Sequence, residues 1–587
     1  MCGIIARIST NENPTSTLQG VKFLEYRGYD SYGILLSYNG IDKVEKNIGE
    51  LPIKKLEELK KEKSNIEIAH TRWATHGGVT KENSHPHFDK DKKFFVVMNG
   101  IIENYLDIKA NLKNQVKFIS ESDTEVIPQF FSVYFDESKN GENDENIEQN
   151  LINTTSQMLE ELKGEFSFIL KYKNYVISFK NINPIVCGIS NDEILFSSDM
   201  GYIQNHSSQY YNLNDEEFVI SNFNQKDKKV SFNFYKEYTK FNPQLKESVK
   251  TDIDVSNSYS TYMEKEIKEA KFVRSLITTS NLSSLKYLKN TIQNKPVILC
   301  AAGTSYYAAY YMHYMLLKQG INSQITLASE LNNYSSVIKN SVIIIFSQSG
   351  ETADLIYPLK NLRDNNEIFT ISNSPNSTLD RFASRSIYLN CGREIGVAST
   401  KAFSFQIFVS YLLEKELSGI DIEDNLNKFE SEFEKVLEES QLLIEKISTK
   451  FKSSKDYFFI GRDSYHPLAL EGALKLKEIS YIHAEGFAGG ELKHGTLALI
   501  EKGIPVVVIG DSLEIISNAT EIKTRGGIII GISPTSQEVF DYHIKIPNYF
   551  NELFITLVMH TLALKTSQGL GHNPDKPRNL AKSVTVK

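Results

Sequence analysis

Hydrophobic residues in the first 240 positions fall in short runs, at Ile66–Ala69, Phe94–Met98, Phe166–Lys171, Tyr175–Phe179 and Phe218–Ser221. Alternation with a period of two buries one face of a strand, and unbroken apolar runs of this length mark strands covered on both faces. This stretch therefore reads as strand-rich with a few helices. Asp136–Asn150 is acidic and rich in asparagine and predicts a surface loop, and the largely polar Lys236–Tyr259 predicts a linker.

After the linker the pattern changes to helices alternating with short apolar strands, as in βα units around parallel sheets. Val297–Cys300, the small-residue turn Gly303-Thr304-Ser305 and a helix to about Gln319 form one unit. Tyr457–Ile460, Gly461 and a helix from about Pro467 to Ile482 repeat that order. Each is followed by a further apolar strand and a serine-bearing turn. These are Ser341–Phe346 with Ser347-Gln348-Ser349-Gly350, and Val506–Ile509 with Gly510-Asp511-Ser512. The repetition predicts tandem doubly wound α/β domains split near Gly419–Ser453. A helix near Leu553–Thr566 and the tail Asn573–Lys587 are left outside the repeat. No run of about 18 apolar residues is present, so no membrane-spanning helix is predicted.

Composition narrows the picture. The 587 residues carry 65 basic and 73 acidic side chains, a net charge of -8, without the basic stripe of a nucleic-acid or membrane-surface binder. The 4 cysteines (Cys2, Cys187, Cys300, Cys391) are too scattered for a disulfide framework or a zinc site, which predicts a reducing compartment. The first residues form no signal peptide, and the expected location is the cytoplasm.

Candidate chemistry starts at Cys2. Removal of Met1 would leave one residue carrying both a thiol and an α-amine that can act as its base. Arg72-Trp73-Ala74-Thr75-His76-Gly77, Asn99-Gly100 and Ser122-Asp123-Thr124 follow strand-like runs and suit an α-amino acid. A guanidinium takes a carboxylate and an aspartate takes an ammonium, while the Asn99 amide and Gly100 N–H suit an oxyanion. Together with Cys2-Gly3-Ile4, Tyr26 to Ser31 and Asn99 to Asn104, these runs resemble the N-terminal-nucleophile glutamine amidotransferases. The resemblance implies a four-layer αββα domain and glutamine hydrolysis through a Cys2 thioester. It implies that Arg72, Trp73, Thr75, His76 and Asp123 hold glutamine, that Asn99 and Gly100 stabilise the oxyanion, and that Arg27 lies in a closing loop. Met98 stands where that family commonly has histidine.

The second half offers a phosphate site without a Walker lysine. Ser347-Gln348-Ser349-Gly350-Glu351-Thr352 follows a strand and opens a helix, and Thr304-Ser305 and Ser399-Thr400 add hydroxyls at equivalent turns. Lys475 and Glu478 share a helix face, and that helix is expected to run on towards His483, Glu485 and Glu491 to Gly495. A carboxylate and a histidine suit proton transfers on a sugar. The tail Asp575 to Val586, Glu394 to Lys401 and Leu474 to Gly495 resemble the family of isomerising glutamine–fructose-6-phosphate aminotransferases.

That resemblance implies a sugar pocket of Thr304, Ser305, Ser347, Gln348, Ser349, Thr352, Val397 and Ser399. Lys582 would form a Schiff base with the open-chain keto sugar. Glu478 would shuttle a proton between C1 and C2 with Lys475 beside it, and His494, from a neighbouring subunit, would assist ring opening. A homodimer or larger homo-oligomer follows, with glutamine and fructose 6-phosphate as substrates, Trp73 gating an ammonia passage, and no metal or organic cofactor. Ala302 and Thr496 stand where the family usually has cysteine and proline. The expected domains are a glutaminase at 1–240, a linker at 241–260, sugar-isomerase (SIS) domains at 261–425 and 426–573, and a closing tail at 574–587.

Overall fold

The computed structural model describes residues 2–139, 144–248 and 259–582. The chain divides into two compact units, 1–254 with 583–587, and 255–582.

Among the described residues the first unit holds an eight-stranded and a seven-stranded sheet, both antiparallel. Alternation along each strand explains the layering. From Gly3–Ser9, Ile4, Ala6 and Ile8 enter a core shared with Phe95, Val97, Ile169 and Val219 of the other sheet. Ile5 points the opposite way, into a core with Leu18 and Val21 of the helix Thr15–Leu24. In Phe94–Ile102, Phe94, Val96 and Met98 face Val126, Phe130 and Phe131 of the helix Val126–Tyr134. The result is helix, sheet, sheet, helix, with period-two patterning deciding which face each side chain joins.

Two expectations need correction here. Within Asp136–Asn150, residues from Asp144 belong to the helix Asp144–Glu161, while 140–143 lie outside the described residues. Asp144 and Glu145 sit in its first turn, where acidic side chains favour the helix dipole, and Leu151, Ile152 and Met158 bury its inner face. Polar and acidic residues at a helix start share the composition of a surface loop. The predicted linker also contributes edge strands: Thr239–Phe241 pairs with Lys229–Lys236, and Lys246–Glu247 pairs with Gln209–Asn212. Edge strands tolerate such polar sequences because one side meets solvent. Residues 249–258 lie outside the described ones.

Among the described residues the second unit holds two five-stranded parallel sheets of one topology. In the first, the spatial order is Ser323–Leu327, Val297–Ala301, Val342–Ser347, Glu367–Ser372, Arg385–Tyr388. In the second it is His483–Ala488, Asp456–Gly461, Pro505–Ile509, Ile528–Ser533, Tyr542–Lys545. Each sheet has its order reversal beside its first strand, where doubly wound folds place ligands at the carboxyl ends of strands.

The repeat is longer than its sequence pattern suggests. The helix Lys401–Ser418 follows the fifth strand of the first sheet, and Asn551–Gly569 follows the fifth strand of the second. The latter therefore belongs inside the repeat. Both helices are buried nearly all round, so neither shows the one-sided stripe that reveals a surface helix. Among the described residues no helix is long and apolar enough to cross a membrane.

Candidate active sites

In the first unit, Cys2 is half-buried directly ahead of the strand Gly3–Ser9, which pairs with Ile66–Arg72. Strand pairing therefore brings Cys2 to Trp73: the Trp73 N–H donates to the Cys2 Sγ at 3.3 Å, and the thiol lies 3.5 Å from the Trp73 carbonyl. Burial pushes the Cys2 thiol above its ordinary value, against the Trp73 N–H and the Arg72 guanidinium, which favour the thiolate. A base is consequently needed for attack.

Gly28 lets a second loop lie against this backbone. A Cβ there would sit 2.6 Å from the Arg72 carbonyl carbon and the Trp73 nitrogen. Next to it, Arg27 is ion-paired with Asp199 at 3.2 Å, and the Tyr29 ring meets Trp73 edge-on at 5.9 Å. Ala74 N–H donates to Asp30 at 2.9 Å, tying the two loops together.

Arg72 is almost fully buried, and its guanidinium donates to the carbonyls of Gly78 (3.0 Å), Gly77 (3.1 Å) and His76. It thus shapes the loop bearing Thr75 and His76; Thr75 is exposed, and the His76 ring meets Tyr105 edge-on at 5.3 Å. Asp123 is buried and accepts from the N–H groups of Ile102 and Thr124, both at 2.9 Å. Burial raises its carboxyl above the ordinary value, and these N–H groups and His76 oppose that rise.

Asn99 is 1% exposed, and neither atom of its amide has a hydrogen-bond partner among the described residues. Leaving such a group unsatisfied costs about 1–3 kcal/mol, which a ligand taking the amide would relieve. Gly100 follows at φ +111°, and a Cβ there would lie 1.9 Å from the Glu165 carbonyl oxygen, so only glycine fits.

In the second unit, the turn after Val342–Ser347 is held by its own hydroxyls. Gly350 N–H donates to Ser347 Oγ at 3.0 Å, Glu351 N–H to Ser349 Oγ at 3.2 Å, and Ser347 Oγ lies 3.3 Å from Thr352 Oγ1. Gly350 has φ +67°, and a Cβ there would meet Ser377 Oγ at 2.0 Å. Thr352 caps the helix Ala353–Leu362, whose first N–H groups favour an anion. In the first turn of the helix Gly303–Lys318, Ser305 Oγ accepts from Gln406 at 3.0 Å.

The tail is built into this unit. The Asp575 carboxylate accepts from the N–H groups of Tyr262 and Met263, both at 2.8 Å, and its carbonyl accepts from Val397 N–H at 3.1 Å. Arg578 N–H donates to the Tyr481 hydroxyl at 2.9 Å, and its guanidinium stacks over that ring at 4.1 Å. Lys582 Nζ then reaches the Glu394 carboxylate at 2.6 Å. Glu394 also accepts from Ser399 Oγ at 2.8 Å, Thr400 N–H at 2.9 Å and Ala402 N–H at 3.1 Å.

Burial works against the Glu394 charge, but Lys582 and the two N–H groups outweigh it and hold the carboxyl at about 2. Behind it Glu266 is also buried, accepting from Gly396 N–H at 3.1 Å and from Ile395 N–H. Burial and the Glu394 charge push Glu266 up to about 8. A carboxyl raised in the native state binds its proton there at pH values where the unfolded chain has lost it, so stability falls as pH rises from about 4.5 towards 8. Glu266→Gln keeps an acceptor for both N–H groups and cannot ionise. Its melting temperature is expected to fall by fewer degrees between pH 5 and 8 than that of the parent, as read by calorimetry, with Glu67 supplying part of the remaining decline; parallel curves would contradict a neutral Glu266.

On the helix His466–Ser480, Lys475 Nζ lies 2.6 Å from Glu478 and 3.7 Å from the fully buried Glu471, which His560 meets at 3.1 Å. Burial works against the Lys475 ammonium, but the two carboxylates outweigh it and hold it above its ordinary value. The helix ends sooner than its sequence suggests. Tyr481 turns left-handed at φ +63°, and His483–Ala488 is a strand. His483 pairs with Asp456 at 2.7 Å and Glu485 is exposed, so neither joins Lys475 and Glu478. Lys493 pairs with Glu521 at 2.9 Å, and His494 is exposed on the turn Gly489–His494.

Sequence reading missed the anchoring groups Glu266, Glu471, His560 and Asp575, and gave Glu394 no role. The Lys582–Glu394 contact spans 188 positions, a separation no local pattern reveals.

Comparison with known proteins places both halves in described classes. The glutamine amidotransferase domain profile matches residues 70–205, and the SIS domain profile matches 292–414 and 450–547. The protein is therefore a glutamine amidotransferase domain followed by two SIS domains. It is 35% identical to the glutamine–fructose-6-phosphate aminotransferase [isomerizing] of Clostridium acetobutylicum and 36% identical to that of Pyrococcus horikoshii, each over the full length of both chains. The chain belongs to the family of isomerising glutamine–fructose-6-phosphate aminotransferases. A solved structure, the C-terminal domain of glucosamine-fructose-6-phosphate aminotransferase from Francisella tularensis, matches 55% of this chain and 99% of its own at 29% identity and TM-score 0.48.

Proposed function

We propose that the chain makes glucosamine 6-phosphate from fructose 6-phosphate with ammonia taken from glutamine. The supporting observation is that one chain of this family joins Cys2, set against the Trp73 backbone, to a serine-lined doubly wound unit in which Lys582 is held by buried Glu394. In this reading the Cys2 Sγ attacks the glutamine amide carbon, and Asn99 and Gly100 take the oxyanion. The thiol proton passes through the Cys2 α-amine to the leaving ammonia, and water then breaks the C–S bond and releases glutamate. Arg72, Thr75, His76 and Asp123 hold the amino acid, and Arg27 belongs to the closing loop.

In the sugar half, Thr304, Ser305, Ser347, Gln348, Ser349, Thr352, Val397 and Ser399 receive the sugar phosphate. The Lys582 amine condenses with the C2 ketone and loses water, and ammonia displaces the lysine. Glu478 takes a proton from C1 and returns one to C2, giving the 2-amino aldose, with Lys475 at its side. His494 of a second copy assists ring opening, so the reading includes at least a dimer acting in the cytoplasm. The domain limits 1–240, 261–425 and 426–573, with the tail 574–587, belong to it as well.

The test is to incubate the protein with glutamine and fructose 6-phosphate and follow products by mass spectrometry. An amino-sugar phosphate is the expected product. Glutamate without amino sugar would point to another amidotransferase, and neither product to a sugar-phosphate sensor. Intact mass checks the α-amine base, because retained Met1 would block it.

Ammonia reacts as the neutral base, so it has to reach the sugar without being protonated and lost. Trp73 is assigned to gating that transfer. Trp73→Ala is expected to hydrolyse glutamine at a rate within about fivefold of the parent while amino-sugar yield per glutamate falls about tenfold or more. Equal yields would remove Trp73 from the gate.

A further inference from the structure

The strand Phe94–Ile102 carries Asn99 and Gly100, and its edge ends in an unusual way. Asn99 faces Ser167 of one neighbouring strand, and Val96 faces His87 of the other, the two-residue strand His87–Phe88. In an antiparallel sheet, alternate residues offer their N–H and C=O groups to opposite neighbours. Met98 and Gly100 therefore offer theirs to the side of His87–Phe88, beyond the point where that pairing stops.

Two imidazoles take the place of the strand. His70 Nε2 lies 3.0 Å from the Met98 carbonyl, and the Met98 N–H donates to His85 Nδ1 at 3.4 Å. A carbonyl only accepts and a backbone N–H only donates, so His70 carries its proton on Nε2 and His85 leaves Nδ1 bare. The rings stack at 3.9 Å with 9° between their planes, and His87 packs edge-on against His85 at 4.7 Å.

His70 is 1% and His85 4% exposed. His70 belongs to the opposite sheet, on the strand Ile66–Arg72 that ends beside Cys2. His85 is seated on Gly33, where a Cβ would strike its carbonyl oxygen at 1.6 Å. Burial keeps both rings neutral, holding His70 down at about 3 and His85 well below the ordinary histidine value. Neutrality preserves the acceptor on His85, which a second proton would remove.

We propose that His70 and His85 are positioning residues for glutamine hydrolysis: stacked, they replace an edge strand and fix the Met98 backbone so that Asn99 and the Gly100 N–H meet the oxyanion. This rests on the Cys2 reading above. The pair satisfies both Met98 backbone groups and leaves the next N–H in the alternation, that of Gly100, for the reaction. Because an oxyanion exists only after attack, loosening this backbone should lower kcat rather than raise KM.

The test exchanges amides, which changes reach with little change in polarity. Glutamine places its NH2 near the position of Nε2, and asparagine its oxygen near that of Nδ1. His70→Gln and His85→Asn are expected to keep glutamine kcat within about fivefold of the parent. His70→Asn and His85→Gln are expected to lose about 10–100-fold in kcat with KM changed less than about twofold, in the range known for a disturbed oxyanion donor. Sugar-phosphate isomerisation by the same samples reports that the second unit is intact. Equal losses in all four variants, no loss in any, or a rise in KM at constant kcat would each overturn the proposal. A parent chain that hydrolyses no glutamine would overturn the Cys2 reading itself, and is told apart because the comparison then has no starting activity.

Discussion

Cys2→Ala is expected to abolish glutamine-dependent amino-sugar synthesis, by at least about 10⁴-fold, and to leave sugar-phosphate isomerisation within about twofold of the parent. The thiol is the group that forms the acyl intermediate in this mechanism, and its removal also takes away the acceptor of the Trp73 N–H. That lost contact is half-buried and involves sulfur, a weak acceptor, so the cost to folding is small beside the cost to chemistry. The Lys582–Glu394 and Lys475–Glu478 pairs lie entirely within the second unit and are untouched. Glutamate release and isomerisation are measured on one sample. Residual synthesis from glutamine would remove Cys2 as nucleophile, and loss of both activities would contradict two separable sites.

Lys582→Ala should do the reverse. Synthesis is expected to fall at least about 10³-fold because no amine remains to form the imine, while glutaminase activity stays within about fivefold. This variant has a second consequence that follows from the geometry. Lys582 is 4% and Glu394 0% exposed in their side chains, and removing the lysine leaves a buried carboxylate without its cation. Breaking a buried pair in this way costs about 3–5 kcal/mol, enough to confuse instability with lost chemistry. The double variant Lys582→Ala with Glu394→Gln removes the stranded charge, so it should recover much of the melting temperature and none of the synthesis. If the double variant regained synthesis, the lysine would be structural. If the single variant retained it, the imine role would fall.

The sequence was informative wherever function depends on short stretches of chain. Cys2, the Arg72 to Gly77 run, Asn99-Gly100 and the Ser347 to Thr352 turn are each a few residues long, because a nucleophile, an oxyanion donor or a phosphate turn is set by local backbone. The two parallel sheets were legible as well, since apolar strands such as Ile343 to Phe346 and Val506 to Ile509 are buried on both faces. Patterning failed where the rule it used did not apply. Asn551–Gly569 is legible as a helix near Leu553–Thr566, but its all-round burial hides its place in the repeat; Asp144–Glu161 starts with the charges that resemble a loop, and the left-handed turn at Tyr481 ends a helix that composition would continue.

By itself, then, the chain determined which chemical groups it has and which strands and helices carry them, because those follow from neighbours within a few residues. Tertiary structure alone decided how these groups are held and charged. It brought Glu394 to Lys582 and Glu266 behind it, fixed Glu471 and His560 around Lys475, and stacked His70 on His85 against Met98. It also set Arg72 to shaping its own loop. The physical reason is that burial and electrostatic pairing depend on distance in space, and these partners lie far apart along the chain.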